Sequence, residues 1–248
     1  MTCETGPGFP SGHAMVTAAI FYVIFDFVLM RKQMQKLRLP IWISYLLMIV
    51  SVSISRLYIG AHFPHQVIVG GILGFLVANL VLNYRSKLEM ATRNQYVATT
   101  AFLFASALAT YFMLNMLGFD AGWSVEKAKQ FCVKKEWIHL TNSPLFSLMR
   151  YTGFLLGFGL GLHSSFFKGI GRLHFTLRMK FTTALVSVAI TKLSELIIAP
   201  KSNVYLLYLF GFVMSTSLGF IYSAIAPWVA TKFASRLVYR KTSSIENC

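Results

Sequence analysis

Residues 3–33 read CETGPGFPSGHAMVTAAIFYVIFDFVLMRKQ. The stretch runs from a polar segment with three glycines and two prolines, through an apolar run, into a basic cluster. About 20 apolar residues in a helix cross the hydrocarbon core of a bilayer, so residues 13–30 form the first candidate span. Ser11 stands where an N-cap is expected, with His13 in the first turn. A polar histidine loop therefore opens directly onto a membrane-length helix.

The rest of the chain supports that reading. Of 248 residues, 56% are hydrophobic and only 12% charged, and the mean hydropathy is +0.61. A soluble domain carries about 25% charged residues. The expected fold class is all-α, a polytopic membrane helix bundle of about seven transmembrane helices. The candidate spans are about 13–30, 40–59, 65–83, 97–117, 148–166, 180–199 and 204–227, the second and seventh interrupted by Ser and Gly. The formal charge of +15 falls in short runs between apolar segments, not on one face with exposed aromatics. That is the membrane pattern, and it argues against nucleic acid as a partner.

Charge placement orients the bundle. Segments 31–38, 85–93, 168–180 and 232–241 hold four, three, four and four Lys or Arg. These connections alternate along the chain and fall on one side, which the positive-inside rule makes cytosolic. The other side receives the N-terminus, the 56–64 turn, the 118–147 loop and the Lys201 turn. Four lysines of the 118–147 loop are accompanied by Asp120, Glu126 and Glu136.

Gly153, Gly157 and Gly161 recur every four residues, as do Gly70 and Gly74. Small residues at that spacing let helices approach closely, and both series are expected to serve packing. Lys192 and Glu195 are three apart on one predicted helix face and are expected to pair. Asp26 lies near the cytosolic end of the first span and receives no catalytic role. Cys3, Cys132 and Cys248 form neither a disulfide framework nor a metal spacing. Free thiols are the expected state, because a Cys3–Cys132 bridge requires both residues to lie in an oxidising lumen.

One down-and-up passage returns SRLYIGAHFPHQ, residues 55–66, to the face that holds His13. Pro64 then sits in the first turn of the third span, where proline is tolerated. Two histidine-bearing helix starts with Arg56 between them suit a phosphate. Helix starts favour anions, and a guanidinium grips phosphate oxygens bidentately. One imidazole can attack phosphorus while the other protonates the leaving oxygen.

Pro10-Ser11-Gly12-His13, and Ser55-Arg56 followed after five residues by His62, resemble the second and third motifs of the phosphatidic-acid-phosphatase type 2 and haloperoxidase superfamily. Within it, TCETGPG, AHFPHQV and EWIH (residues 136–139) are similar to the glucose-6-phosphatase catalytic subunit family, and the similarity runs through nearly the whole chain. The resemblance implies a helical bundle of the endoplasmic reticulum membrane, with a lumenal active site and a cytosolic C-terminus. It implies hydrolysis of a sugar phosphate such as glucose 6-phosphate, in gluconeogenesis, without metal or other cofactor. By the same resemblance His62 is the nucleophile, His13 the proton donor and Arg56 a phosphate ligand, with Ser11 and Gly12 beside the phosphate. Gln66, four residues after His62, stands where the wider superfamily has an aspartate, and His65 is expected to support the site from behind. His139 lies on the lumenal loop where it can contribute to substrate access, while His163 and His174 read as ordinary polar residues. The bilayer and a sugar-phosphate transporter are the partners implied.

The family's first motif, a lysine followed after six residues by Arg-Pro, is not found in the sequence. Residues 1–248 are therefore expected to form a single membrane phosphatase domain without the family's N-terminal helices, and with little activity by itself. A lipid-phosphate phosphatase shares the two motifs, and a catalytically silent relative fits the missing one; both stay open at the level of sequence.

Overall fold

The computed structural model describes residues 3, 5, 6, 8–30, 32–120, 122–170, 175–200 and 203–233. Arg31, Arg172, His174, Lys201, Cys248 and the basic residues beyond Lys232 lie outside the described residues. All regular structure among the described residues is helical: α1 (Gly12–Leu29), α2 (Arg38–Tyr58), α3 (Pro64–Asn83), α4 (Arg85–Glu89), α5 (Arg93–Met116), α6 (Trp123–Phe131), α7 (Pro144–Leu162), α8 (Ser165–Lys168), α9 (Leu177–Glu195) and α10 (Val204–Phe220). A π-helical turn, Ile221–Ile225, prolongs α10, and the helix continues to Phe233.

Among the described residues, six helical segments are long and apolar enough to cross a membrane: Gly12–Leu29, Met34–Tyr58, Pro64–Asn83, Arg93–Met116, Pro144–Leu162 and Val204–Phe233. They coincide within a few residues with six of the expected spans. The remaining expected span is the 19-residue α9, which carries Arg178, Lys180, Lys192 and Glu195. Its Lys192 Nζ lies 2.9 Å from Glu195 Oε2, the pairing their spacing requires.

The chain divides into two compact units, Met1–Ala91 with Asp120–Pro144, and Thr92–Phe119 with Leu145–Cys248. In the first unit α1 packs against α3 and α2. The α1–α3 interface is made of small residues: Ala14 and Ala18 of α1 are buried, as are Gly70, Gly74 and Ala78 of α3. A Cβ at Gly70 would lie 2.6 Å from the Ser11 carbonyl oxygen, and one at Gly74 would run into the Met15 carbonyl oxygen. Large side chains point outward instead, with Leu47, Ile54 and Ile68 each about three-fifths exposed. Small inside and large outside is how helices pack when lipid, not water, is the solvent.

The second unit repeats that chemistry. Thr92 caps α5, its Oγ1 accepting from the Gln95 N–H at 3.3 Å while Gln95 Oε1 accepts from the Thr92 N–H at 2.7 Å. On α7, Gly153 and Gly157 press against the Phe212 and Thr216 backbone of α10, and Gly161 against Ser223. From the other side, Gly219 meets the Phe154 carbonyl. Gly159 faces the opposite way, onto Tyr96 of α5. Hydroxyls along these helices donate to their own backbone: Thr100 to Tyr96 O, Thr152 to Leu148 O, Thr216 to Phe212 O and Ser223 to Gly219 O, all at 2.7–2.8 Å. Such back-bonding satisfies a hydroxyl where no water is at hand.

Candidate active site

The site is built where α2 ends and α1 and α3 begin. Helix α2 stops at Tyr58 because Gly60 adopts φ +67°, a conformation that suits glycine. The Gly60 N–H donates to Leu57 O at 2.9 Å, and the Ala61 N–H reaches back to Arg56 O at 3.0 Å. This is a Schellman closure. It ties the backbone of Arg56 to the residue immediately before His62. Arg56 is half-buried, with its Nε out of contact with solvent.

Helix α3 opens with Phe63 at the N-cap and Pro64 in the first turn. Gln66 folds back so that its Oε1 accepts from the Phe63 N–H at 3.0 Å. An N–H can only donate, so this bond fixes which end of the amide faces inward. His62 Nδ1 lies 3.1 Å from the same Oε1 and 3.0 Å from the Gly8 carbonyl oxygen. Facing two acceptors, Nδ1 carries the hydrogen. In the neutral ring the lone pair then sits on Nε2. His62 is only 9% exposed, so few orientations are open to it.

Helix α1 is brought alongside by its own backbone. The Ser11 N–H donates to Gln66 O at 3.0 Å, one turn above the contact of Gly70 with Ser11. The structure corrects one expectation here. Ser11 occupies the N-cap position, yet its side chain makes no capping bond. Its Oγ is fully buried and has no hydrogen-bond partner among the described residues. Gly70 of α3 packs against the Ser11 backbone. Gly12 and His13 remain exposed. A Cβ at Gly12 would meet nothing within 4 Å. Neither backbone conformation nor protein packing calls for glycine there, and the space beside the helix start stays open.

His65 does not touch His62 through any hydrogen bond given by the structure. It is exposed, with Phe63 stacked on it at 5.9 Å and Phe9 at 6.2 Å between ring centroids. Two participants escaped sequence reasoning, the Gly8 carbonyl and Thr5. A backbone carbonyl has no signature in a sequence, and Thr5 is signalled only by its place in the glycine- and proline-rich segment. Thr5 is 1% exposed; its Oγ1 donates to His139 O at 2.7 Å, and its carbonyl accepts from Ser124 Oγ at 2.9 Å. The part of His139 engaged with Thr5 is thus its backbone, while its side chain is exposed.

The expectation of free thiols is overturned for two of the three cysteines. Cys3 and Cys132 form a disulfide across 129 residues of sequence. Spacing could not reveal it, because the pairing depends on the 120–144 segment folding back onto the N-terminal loop. Among the described residues no three His, Cys, Asp or Glu side chains group to hold a metal.

Comparison with known proteins bears on the family of the chain. The PAP2 superfamily model matches residues 1–90, the portion that contains α1, α2 and α3. Glucose-6-phosphatase catalytic subunit 1 of Rattus norvegicus is 35% identical over 238 residues, covering 92% of this chain and 66% of the relative. The protein of that name from Haplochromis xenognathus is 35% identical over 240 residues, covering 94% of this chain and 86% of the relative. Glucose-6-phosphatase 2 of Homo sapiens is 35% identical over 239 residues, covering 92% and 67%. The chain thus spans about two thirds (66%) of the length of the rat relative. No solved structure matches it significantly. With a relative at this identity aligned over most of both lengths, the chain belongs to the glucose-6-phosphatase catalytic subunit family.

Proposed function

We propose that this protein is a phosphoric monoester hydrolase that releases a free sugar from a sugar phosphate, with glucose 6-phosphate the first candidate, through a phosphohistidine on His62. One observation carries the reading: Nδ1 of His62 is bonded to two acceptors, leaving Nε2 as the nucleophilic nitrogen in a nearly buried ring. In the first step Nε2 attacks phosphorus, the bond from phosphorus to the sugar oxygen breaks, and His13 gives that oxygen a proton. Water then attacks the phosphohistidine. His13 takes the water's proton, inorganic phosphate leaves, and the imidazole returns to its starting state. Charge on the three equatorial oxygens of the phosphoryl group in flight is met by positioned cations and N–H donors. Arg56, the start of α1 at Gly12 and the buried Ser11 hydroxyl are the groups that suit this task.

Imidazolium character develops on His62 as it bonds to phosphorus. The amide oxygen of Gln66 and the Gly8 carbonyl both stabilise it through Nδ1. The open space beside Gly12 supports close approach of a phosphate to the backbone. The names of the relatives support glucose 6-phosphate as the substrate to try first; a place in gluconeogenesis, the endoplasmic reticulum membrane and supply by a sugar-phosphate transporter belong to the proposal and rest on the motif resemblance. The disulfide favours an oxidising lumen for the N-terminal loop and for segment 120–144. The basic connections then face the cytosol.

The test is an assay of purified protein on glucose 6-phosphate and on phosphatidic acid, with alkaline quench and mapping of the labelled residue. Sugar-phosphate turnover with label on His62 is the expected result. Turnover of the lipid alone, or label on His13 or His65, overturns the proposal.

A further inference from the structure

The nucleophile's orientation depends on a segment that has almost no means of holding its own shape. The described residues of segment 3–10, Gly6 and Gly8 among them, form a strap with no regular structure. Glycine has more conformational freedom than any other residue. The strap's position must therefore come from its ties. At one end the Ser11 N–H is bonded to Gln66 O. Towards the other end three ties converge on segment 120–144: the Cys3–Cys132 disulfide, the bond from Thr5 Oγ1 to His139 O and the bond from Ser124 Oγ to Thr5 O. Gly8 lies between the two ends, and its carbonyl accepts the hydrogen of His62 Nδ1 at 3.0 Å.

We infer that segment 120–144 is an anchor that positions the nucleophile, with Thr5 and the Cys3–Cys132 disulfide as positioning residues that act through the Gly8 carbonyl. This rests on the reading of His62 as the nucleophile. Thr5 is where the chemistry concentrates. Its hydroxyl and its carbonyl are both engaged by the anchor, and it is buried, so water cannot substitute for either partner. When the ties are lost, Gly8 moves off His62, the ring keeps only Gln66 as acceptor, and its face opens to solvent. The effect belongs to the chemical step, because neither Thr5 nor the cysteines need touch the substrate. It also makes turnover depend on an oxidising compartment.

The test uses the full chain in native membranes, as wild type, Thr5→Val, Thr5→Ser and Cys3→Ser/Cys132→Ser. Two readouts are taken: kcat and KM on glucose 6-phosphate, and the rate at which diethylpyrocarbonate modifies His62 relative to exposed His65, mapped by mass spectrometry. Thr5→Val and the double cysteine variant should lose about ten-fold or more in kcat with KM within about two-fold, since an interaction used at the chemical step has gone. Thr5→Ser, which keeps the hydroxyl, should stay within about three-fold of wild type. In both impaired variants the His62 to His65 ratio should rise at least about three-fold as the strap loosens. Should a variant fail to accumulate, wild-type membranes are reduced with a phosphine and reoxidised, maleimide labelling of both cysteines reporting completion. kcat should fall and return.

An unchanged ratio with the disulfide fully reduced overturns the inference. So does a loss carried by KM alone, or a Thr5→Ser variant as impaired as Thr5→Val. If oxidised wild type turns over no phosphomonoester while the ratio still responds, the anchor stands and the hydrolase reading falls.

Discussion

The two units contain the same packing device and use it differently. In one, Gly70 and Gly74 let α3 press onto the backbone of α1; in the other, Gly153 and Gly157 let α7 press onto α10. The contacts are equally close, and a Cβ at Gly74 or Gly157 would collide with a carbonyl oxygen of the facing helix. What differs is the end of the seam. The α1–α3 seam runs up to the Ser11–Gln66 bond and the His62 hydrogen bonds. Along α7 and α10, Thr152, Thr216 and Ser223 spend their hydroxyls on their own helices. A glycine seam is a means of holding two backbones at fixed distance. It becomes functional only where those backbones carry groups that must meet.

Removing the chemistry from the polar end should give the largest effect. His62→Ala should lower kcat at least about 10³-fold, because loss of a nucleophile removes the covalent route. Membrane expression should remain normal. Residual turnover within ten-fold of wild type would mean that the α1–α3 seam does not end in a catalytic site.

Gln66→Leu comes next. It deprives both His62 Nδ1 and the Phe63 N–H of their shared acceptor. The Phe63 N–H loses its acceptor, at about 1–3 kcal/mol, and Nδ1 keeps only the Gly8 carbonyl, so kcat should fall about 10- to 100-fold, with Gln66→Glu, which retains an acceptor, much less impaired. Equal kcat values for the two variants would remove Gln66 from the positioning of His62.

The comparison itself is tested by the pair Gly74→Ala and Gly157→Ala. Each forces a methyl group against a backbone carbonyl, and each should destabilise its unit by about 1–3 kcal/mol. Only Gly74→Ala should also depress kcat per folded molecule, by moving Ser11 relative to Gln66. Thermal unfolding in detergent gives the first quantity, and turnover normalised to folded protein gives the second. A kcat loss for Gly157→Ala as great as for Gly74→Ala breaks the distinction between the seams.

Gly60→Ala should have the smallest effect. At φ +67° an L side chain costs about 1–2 kcal/mol, and the Schellman closure between Arg56 and Ala61 should loosen, not open. A modest shift in melting temperature is expected, with kcat reduced by less than about five-fold. An unchanged melting temperature would show that the turn carries no strain requirement.

The amino-acid sequence determined the helices, their approximate limits and the membrane class, because each depends on local composition. A run such as residues 13–30 is apolar whatever surrounds it, and six of the expected spans reappear within a few residues. The motif residues were legible for a related reason. His13, Arg56 and His62 sit at helix ends, and helix ends are fixed by neighbours in sequence such as Gly60 and Pro64. Gln66 was legible in the same way, but tertiary structure alone decided which distant groups meet them. One of the two acceptors on His62 Nδ1 comes from 54 residues upstream, and the strap that carries it is tied to a segment more than 110 residues away. Ser11 carries a capping side chain by type, yet it is fully buried and makes no capping bond. Local pattern can nominate a histidine; only the fold can show which of its nitrogens is engaged, since that is set in part by a partner the chain brings from a distance.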